Sequence, residues 1–564
     1  MTGRLIDESS GTTSPSLPTN NRIDPIKSMK RRNAHSSIAL VSMALLATVV
    51  AAQESTTSLE VETDRGWIVG ERAGELSPVA VFRGIPYAEP PVGDLRWRAP
   101  QPKLPWADKR PALEFGPACV SQRSALRTDQ VRDEDCLYLN VWTRSAGTDQ
   151  SLPVMVWIHG GAFSLGSGHN EMYDGTRFAE SGVVLVALNY RLGLFGFFAH
   201  PALAQEEGGR GPFNQGILDQ IAALQWVQRN IESFGGDPGR VTIFGESAGS
   251  ISVCYLVASP FAKGLFHRAI GQSGGCLDRH PTLLDGTPAA GRSVPGEPRL
   301  GGHEVALRVA AGLEASGPGL EGLAELRGLT LRELVFRFSR NGLSLPRKSV
   351  YVDGHMFPDQ MRTLLEKGLG SRVPLLVGSN TDEGRSLFVR TREIPWEEWS
   401  ESVRNRPHGH GRALLEAYAG DAKESTRTAQ QQMLADSLFA WNARQWARTA
   451  SGLGDDAFLY VFSHAAPSRQ WGRTYGAYHA AEIRYVFGNP LLSDWNDQDQ
   501  ALANLVHTYW VNFATKGDPN GDGLPEWPAY HSDSDIALNL NADPEPITNY
   551  RMAKLDTHEL INSF

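Results

Sequence analysis

The sequence predicts an α/β protein with a large central, mostly parallel sheet flanked by helices, plus long helical and loop insertions. Three observations carry that prediction. Val154-Met155-Val156-Trp157-Ile158 and Val183-Val184-Leu185-Val186-Ala187-Leu188 are unbroken apolar runs, the pattern of strands buried on both faces. Gly216 to Ile231 instead places Ile217, Leu218, Ile221, Leu224 and Val227 at helical spacing and reads as an amphipathic helix. The two kinds of segment alternate along the chain, as they do when helices cover both faces of a sheet.

The chain opens on a leader. Lys30-Arg31-Arg32 precedes a short apolar run from Ile38 to Val50, which ends in Ala51-Ala52-Gln53. A basic start, an apolar middle and small residues at the end make a secretory signal peptide over about residues 29–52. The apolar run is too short to span a bilayer comfortably, so no stable membrane anchor is expected and the protein is read as secreted or periplasmic. The polar residues 1–28 sit ahead of the signal, and a translation start at Met29 would account for them. Twin-arginine export fits the residues after Arg31-Arg32 poorly, so the general secretory route is preferred. Residues 53–564 read as a single domain.

Within that domain, Val241-Thr242-Ile243-Phe244 and Pro374-Leu375-Leu376-Val377-Gly378 are shorter strand candidates. The Gly/Pro-rich stretch from Leu283 to His303 reads as a surface loop. Thr428 to Ala447 reads as helix, in a second half that is more helical than the first. Asp518-Pro519-Asn520-Gly521-Asp522-Gly523 lacks the spaced ligands and closing Glu of a calcium loop and reads as a turn.

Hydrophobic residues at 41% and charged residues at 21% describe an ordinary globular protein. A net charge of −9 argues against nucleic acid as a partner. The four cysteines Cys119, Cys136, Cys254 and Cys276 include no C-x-x-C pair and no His/Cys cluster at zinc spacing, so no metal site is expected. In an exported protein Cys119 and Cys136 can close a short surface loop as a disulfide. Cys254 and Cys276 are either free thiols or a pair, depending on whether the fold brings them together.

The most informative stretch is Gly245-Glu246-Ser247-Ala248-Gly249, between the strand candidate ending at Phe244 and Ser250-Ile251-Ser252-Val253, which can open a helix. A strand that turns at once into a helix holds its serine in strained backbone with the hydroxyl proud of the sheet edge. The new helix aims its N-terminal amides at the same place. A serine nucleophile also needs a base, an orienter for the base and oxyanion donors. Trp157-Ile158-His159-Gly160-Gly161-Ala162-Phe163 follows a strand with consecutive glycines, so the N–H groups of Gly161 and Ala162, joined by that of Ala248, are candidate donors. In the order serine, acid, histidine, the acid candidates are the neighbours Asp382 and Glu383 in Gly378-Ser379-Asn380-Thr381-Asp382-Glu383-Gly384, and spacing does not choose between them. Of the fifteen histidines, His464, His479, His507 and His531 fall in the expected window. His479 stands out in the loop-like run Tyr475-Gly476-Ala477-Tyr478-His479-Ala480.

Longer motifs now narrow the reading. Phe82-Arg83-Gly84-Ile85-Pro86-Tyr87-Ala88-Glu89-Pro90-Pro91, Glu134-Asp135-Cys136-Leu137-Tyr138-Leu139-Asn140, and Phe234-Gly235-Gly236-Asp237-Pro238 running into the serine motif occur in that order, followed by Gly517-Asp518-Pro519-Asn520 and Trp527-Pro528. The chain resembles the type-B carboxylesterases of the cholinesterase/carboxylesterase family, over nearly everything after the leader. The resemblance implies an α/β-hydrolase fold and a serine carboxylesterase that hydrolyses carboxylic esters of small molecules through an acyl-enzyme, with no cofactor. It implies Ser247 as nucleophile, Glu383 rather than Asp382 as acid, His479 as base, and Gly161, Ala162 and Ala248 as oxyanion donors. It also implies salt bridges between Arg96 and Glu134 and between Arg191 and Asp219.

Two departures qualify the resemblance. Cholinesterases carry a Trp in the loop closed by the first cysteine pair, where it attracts quaternary ammonium, but Val120 to Asp135 holds no aromatic residue. A choline-ester specialist is therefore not expected. No cysteine after Cys276 exists to complete the family's second disulfide. Alternative readings are an esterase specialised for a xenobiotic, mycotoxin or lactone, and a non-catalytic cholinesterase-like binding protein. The second is disfavoured because serine and histidine are both present. No amphipathic lid is evident to argue for a triacylglycerol lipase.

Overall fold

In the computed structural model, the apolar runs form the middle of a thirteen-stranded mixed sheet among the described residues. Those residues are 59–562, except 122–130, 285–299, 344, 346–349, 406–409, 466, 468–474 and 491–494. The leader expected at residues 1–52 lies outside them, as does most of the expected loop between Leu283 and His303. His303 itself already belongs to the helix Gly302–Gly312. Among the described residues, no helix is long and apolar enough to cross a membrane.

Across the sheet the main path runs Leu59–Thr63, Gly66–Arg72, Ala80–Pro86, Tyr138–Thr143, Val184–Leu188, Leu152–Ile158, Gly236–Glu246, Arg268–Gln272, Leu375–Asn380, Ala457–Phe462, Ile536–Leu540 and Glu545–Thr548. From Val184–Leu188 to Ile536–Leu540 every neighbouring pair is parallel, and the flanking pairs are antiparallel. The unbroken hydrophobicity of the central strands follows from their two buried faces, because successive side chains point to opposite sides. Val154, Val156 and Ile158 share one apolar core with Ile217, Ile221, Leu224 and Val227 of the helix Gln215–Asn230. Met155 and Trp157 pack instead in a second core with Val506, Trp510 and Phe513 of the helix Asp497–Lys516.

Both expected salt bridges form, and both are buried. Arg96 grips Glu134 through two hydrogen bonds of 2.6 and 2.7 Å. Arg191 grips Asp219 through side-chain bonds of 2.7 and 2.6 Å, and Asp219 also accepts the Arg191 backbone N–H at 3.0 Å. Removing one partner leaves the other charge buried and alone. Asp219→Asn or Arg191→Met is therefore expected to lower unfolding free energy by about 3–5 kcal/mol, read as a drop in the urea midpoint. A loss under about 1 kcal/mol, the size of an exposed pair, would contradict this.

The cysteines form two disulfides, Cys119–Cys136 and Cys254–Cys276. The second answers what the sequence left open. It joins the helix Ala248–Ala258 to the loop that follows the strand Arg268–Gln272.

Candidate active site

The serine motif folds as a tight turn for a steric reason. Ser247 lies between the strand Gly236–Glu246 and the helix Ala248–Ala258, at φ 57° and ψ −121°. That left-handed region is costly for a residue with a Cβ. The Ser247 N–H donates to the Gln272 carbonyl at 2.9 Å and its own carbonyl accepts from Ile251 at 2.9 Å, which hold the turn on both sides. Gly249 has no substitute here, because a Cβ on it would sit 2.0 Å from the Ile158 oxygen.

The segments carrying the other predicted residues also leave the carboxyl ends of parallel strands, the edge where open α/β sheets bind ligands. Gly160-Gly161-Ala162 follows Leu152–Ile158, and Glu383 opens the short helix after Leu375–Asn380. His479 lies in the longer connection after Ala457–Phe462. Its Nδ1 is 2.6 Å from Glu383 Oε2, while Glu383 Oε1 accepts the Asn380 N–H at 2.8 Å. Glu383 is buried and the His479 side chain is 10% exposed, so the pair is shielded from water.

Asp382 faces elsewhere. Its carboxylate accepts the Ala477 N–H at 3.2 Å and contacts Arg385 at 2.9 Å, and its N–H donates to the Ala477 carbonyl at 3.0 Å. It fastens the histidine loop to the acid turn. Gly476 at φ 65° makes the approach possible, since a Cβ there would meet Asp382 Oδ2 at 2.5 Å.

Gly161 and Ala162 have φ of 110° and 54°, so the chain turns sharply just past the strand end. No hydrogen bond occupies the N–H of Gly161, Ala162 or Ala248 among the described residues. The Ala248 N–H is one of the unpaired first-turn donors of its helix. Of the other histidines of the window, His531 is exposed and two are engaged elsewhere. His464 Nε2 is 2.7 Å from Asp499, and His507 Nδ1 is 2.8 Å from the Val486 carbonyl.

Sequence reasoning missed two carboxylates that set the electrostatics. Glu246 Oε1 approaches His479 Nε2 to 3.0 Å without an aligned hydrogen bond. Glu482 accepts from Asn380 Nδ2 at 2.6 Å and from Gln272 Nε2 at 3.1 Å. Burial alone would push the His479 pKa down, but the charges of Glu246 and then Glu383 outweigh it and raise it above the ordinary imidazole value. Burial raises Glu246 as well, opposed by the nearby imidazole. Glu482 is raised by burial and by the Glu383 charge. Both residues were in view in the sequence, beside Ser247 and three positions after His479, but nothing in their spacing marks a side chain that turns inward.

Comparisons with known proteins identify the family of the chain. Residues 57–558 match the Carboxylesterase family. The chain is 37% identical over 540 residues to a medium-chain fatty acyl-CoA hydrolase precursor from Anas platyrhynchos, covering 88% of this chain and 91% of that protein. It is 34% identical over 482 residues to a para-nitrobenzyl esterase from Bacillus subtilis, covering 82% of this chain and 93% of that protein. A solved PNB esterase structure superposes with a TM-score of 0.74 at 32% identity, covering 89% of this chain and all 100% of the other. The chain belongs to the carboxylesterase family, with the α/β-hydrolase fold, and is a carboxylic ester hydrolase.

Proposed function

We propose that Ser247, His479 and Glu383 carry out the hydrolysis through an acyl-enzyme. The observation that supports this most directly is the 2.6 Å contact of His479 Nδ1 with Glu383, at the sheet edge where the serine turn also lies. His479 Nε2 takes the Ser247 proton as Oγ attacks the ester carbonyl. The N–H groups of Gly161, Ala162 and Ala248 receive the oxyanion, each worth about 2.7–4 kcal/mol in the transition state. Glu383 fixes the proton-bearing Nδ1 and favours the imidazolium. His479 then protonates the leaving alcohol, and water repeats the cycle on the acyl group. The close Glu246 carboxyl forms no aligned bond to Nε2, which leaves that nitrogen free to engage the serine.

As the base, His479 must be neutral, so activity rises with pH through the titration of the coupled Glu246–His479 unit. An anion beside Nε2 favours the imidazolium and moves that titration upward. Glu246→Gln removes it, so the acid limb of kcat/KM is expected to move to lower pH by up to about one unit. A pH–rate profile of the variant reads this directly. A limb that stays in place or moves to higher pH would contradict it.

The substrates are proposed to be neutral esters of small molecules. The Cys119–Cys136 loop offers no aromatic face, so a trimethylammonium group loses an attraction of about 0.5–2 kcal/mol per ring. Phe163 does not replace it, being nearly buried and packed on Phe197 and Tyr190. A short thiocholine ester is expected to show kcat/KM no better than a neutral ester with the same acyl group. A tenfold advantage for the cation, abolished by tetramethylammonium, would overturn this. Residues 53–564 form the catalytic domain on this reading, and the chain is exported to the periplasm or medium. Two disulfides support export, as does the leader read from the sequence.

A further inference from the structure

The helical segment facing the imidazole is irregular. Asp436–Ala440 winds as a π-helix between the α-helices Thr426–Ala435 and Trp441–Gly452, where the sequence reads as one continuous helix. Such insertions are rare and concentrate at functional sites. This one presents Phe439, whose ring centroid lies 4.8 Å from that of His479 at an interplanar angle of 31°. Phe439 is 5% exposed, so the stack is shielded from water.

The π-turn is fastened at both ends. Asp436 accepts from Tyr418 Oη at 2.8 Å, Gln432 Nε2 at 2.7 Å and Arg551 Nη1 at 2.7 Å. Just past the turn, Asn442 Nδ2 donates to the Ser437 and Leu438 carbonyls at 3.4 and 3.2 Å, while its Oδ1 accepts the Leu277 N–H at 3.0 Å. Phe439 is therefore held at both ends of its own turn.

We infer that Phe439 is a positioning residue for the base, its ring face holding the His479 imidazole against Glu383 and favouring the imidazolium formed during catalysis. The inference rests on the reading of His479 as base. The ionisable groups facing His479 are Glu383 at Nδ1, Glu246 at Nε2 and Glu482 in its own segment. The acidic residue on the π-turn, Asp436, is paired with Arg551. Phe439 thus meets the ring with a π-face rather than a charge. An aliphatic side chain would shield the imidazole equally well, but only an aromatic face carries the negative quadrupole that attracts a cation.

The test compares Phe439→Leu, Phe439→Tyr and 3,4,5-trifluorophenylalanine at position 439, with p-nitrophenyl acetate as substrate and melting temperature as the folding control. The fluorinated ring keeps the shape and drains the π-face, so it reports even where the leucine variant fails to fold. The leucine and fluorinated proteins are expected to lose about 3- to 20-fold in kcat at unchanged KM, with the acid limb of kcat shifted to lower pH. Tyrosine is expected to stay within about twofold, because it keeps the face. A fluorinated protein with wild-type kcat and pH profile overturns the inference, as does a tyrosine variant as impaired as leucine. His479→Ala that keeps more than a few per cent of activity would overturn the base reading itself, which separates the two failures.

Discussion

Ser247→Ala is expected to reduce kcat for ester hydrolysis by about 10⁴- to 10⁶-fold while leaving the fold unchanged. In the proposed mechanism the serine hydroxyl is the attacking group, and the variant has nothing to form the acyl-enzyme. What survives comes from oxyanion donors and substrate binding alone. Stability should hold because the bonds that fasten this turn are made by the Ser247 backbone, to Gln272 and Ile251. Alanine carries the same Cβ, so the cost of φ 57° is already present in the natural protein. The check is turnover of a p-nitrophenyl ester beside a melting curve. A well-folded variant with more than a few per cent of natural turnover would remove Ser247 from the mechanism.

Glu383→Gln is expected to lower kcat by about 10⁴-fold, whereas Asp382→Asn is expected to cost about tenfold or less. Glutamine keeps the size of the side chain, but its amide can present N–H to Nδ1 and stabilise the tautomer in which Nε2 carries the proton. Nε2 then cannot take the serine proton. Asp382 fastens the histidine loop through Ala477 without touching the imidazole. Its loss weakens a structural hydrogen bond, typically worth about 1 kcal/mol net. The two variants, measured side by side, distinguish the neighbours. The opposite ranking, with Asp382→Asn inactive and Glu383→Gln active, would move the acid role from Glu383 to Asp382.

Much of the frame was legible without coordinates. Val154 to Ile158 and Val183 to Leu188 announced strands with two buried faces, because a strand with a wet face would alternate polar residues instead. Gly216 to Ile231 announced its helix nearly to the residue, against Gln215–Asn230 in the structure. The serine turn was legible because the glycine at 249 answers a steric demand, and a steric demand leaves a residue type behind. The family resemblance extended that legibility to the salt bridges of Arg96 and Arg191.

Other features were less legible. Asp382 and Glu383 have similar chemistry one position apart, so spacing did not choose between them and only the family resemblance favoured Glu383; the difference is a direction, set by how the first turn of a short helix meets the loop around Gly476. The Cys254–Cys276 pairing required the helix Ala248–Ala258 and the loop past Gln272 to come together. Glu246, Glu482 and Phe439 became interpretable only when the chain brought them within reach of one imidazole. Sequence by itself determined the class of this protein, because burial pattern and backbone sterics are local and constrain which residue types can stand where. Tertiary structure alone decided that Glu246, Glu482 and Phe439 join Glu383 around His479, because electrostatic and stacking interactions depend on distance and orientation in space, and residues far apart in the chain supply them.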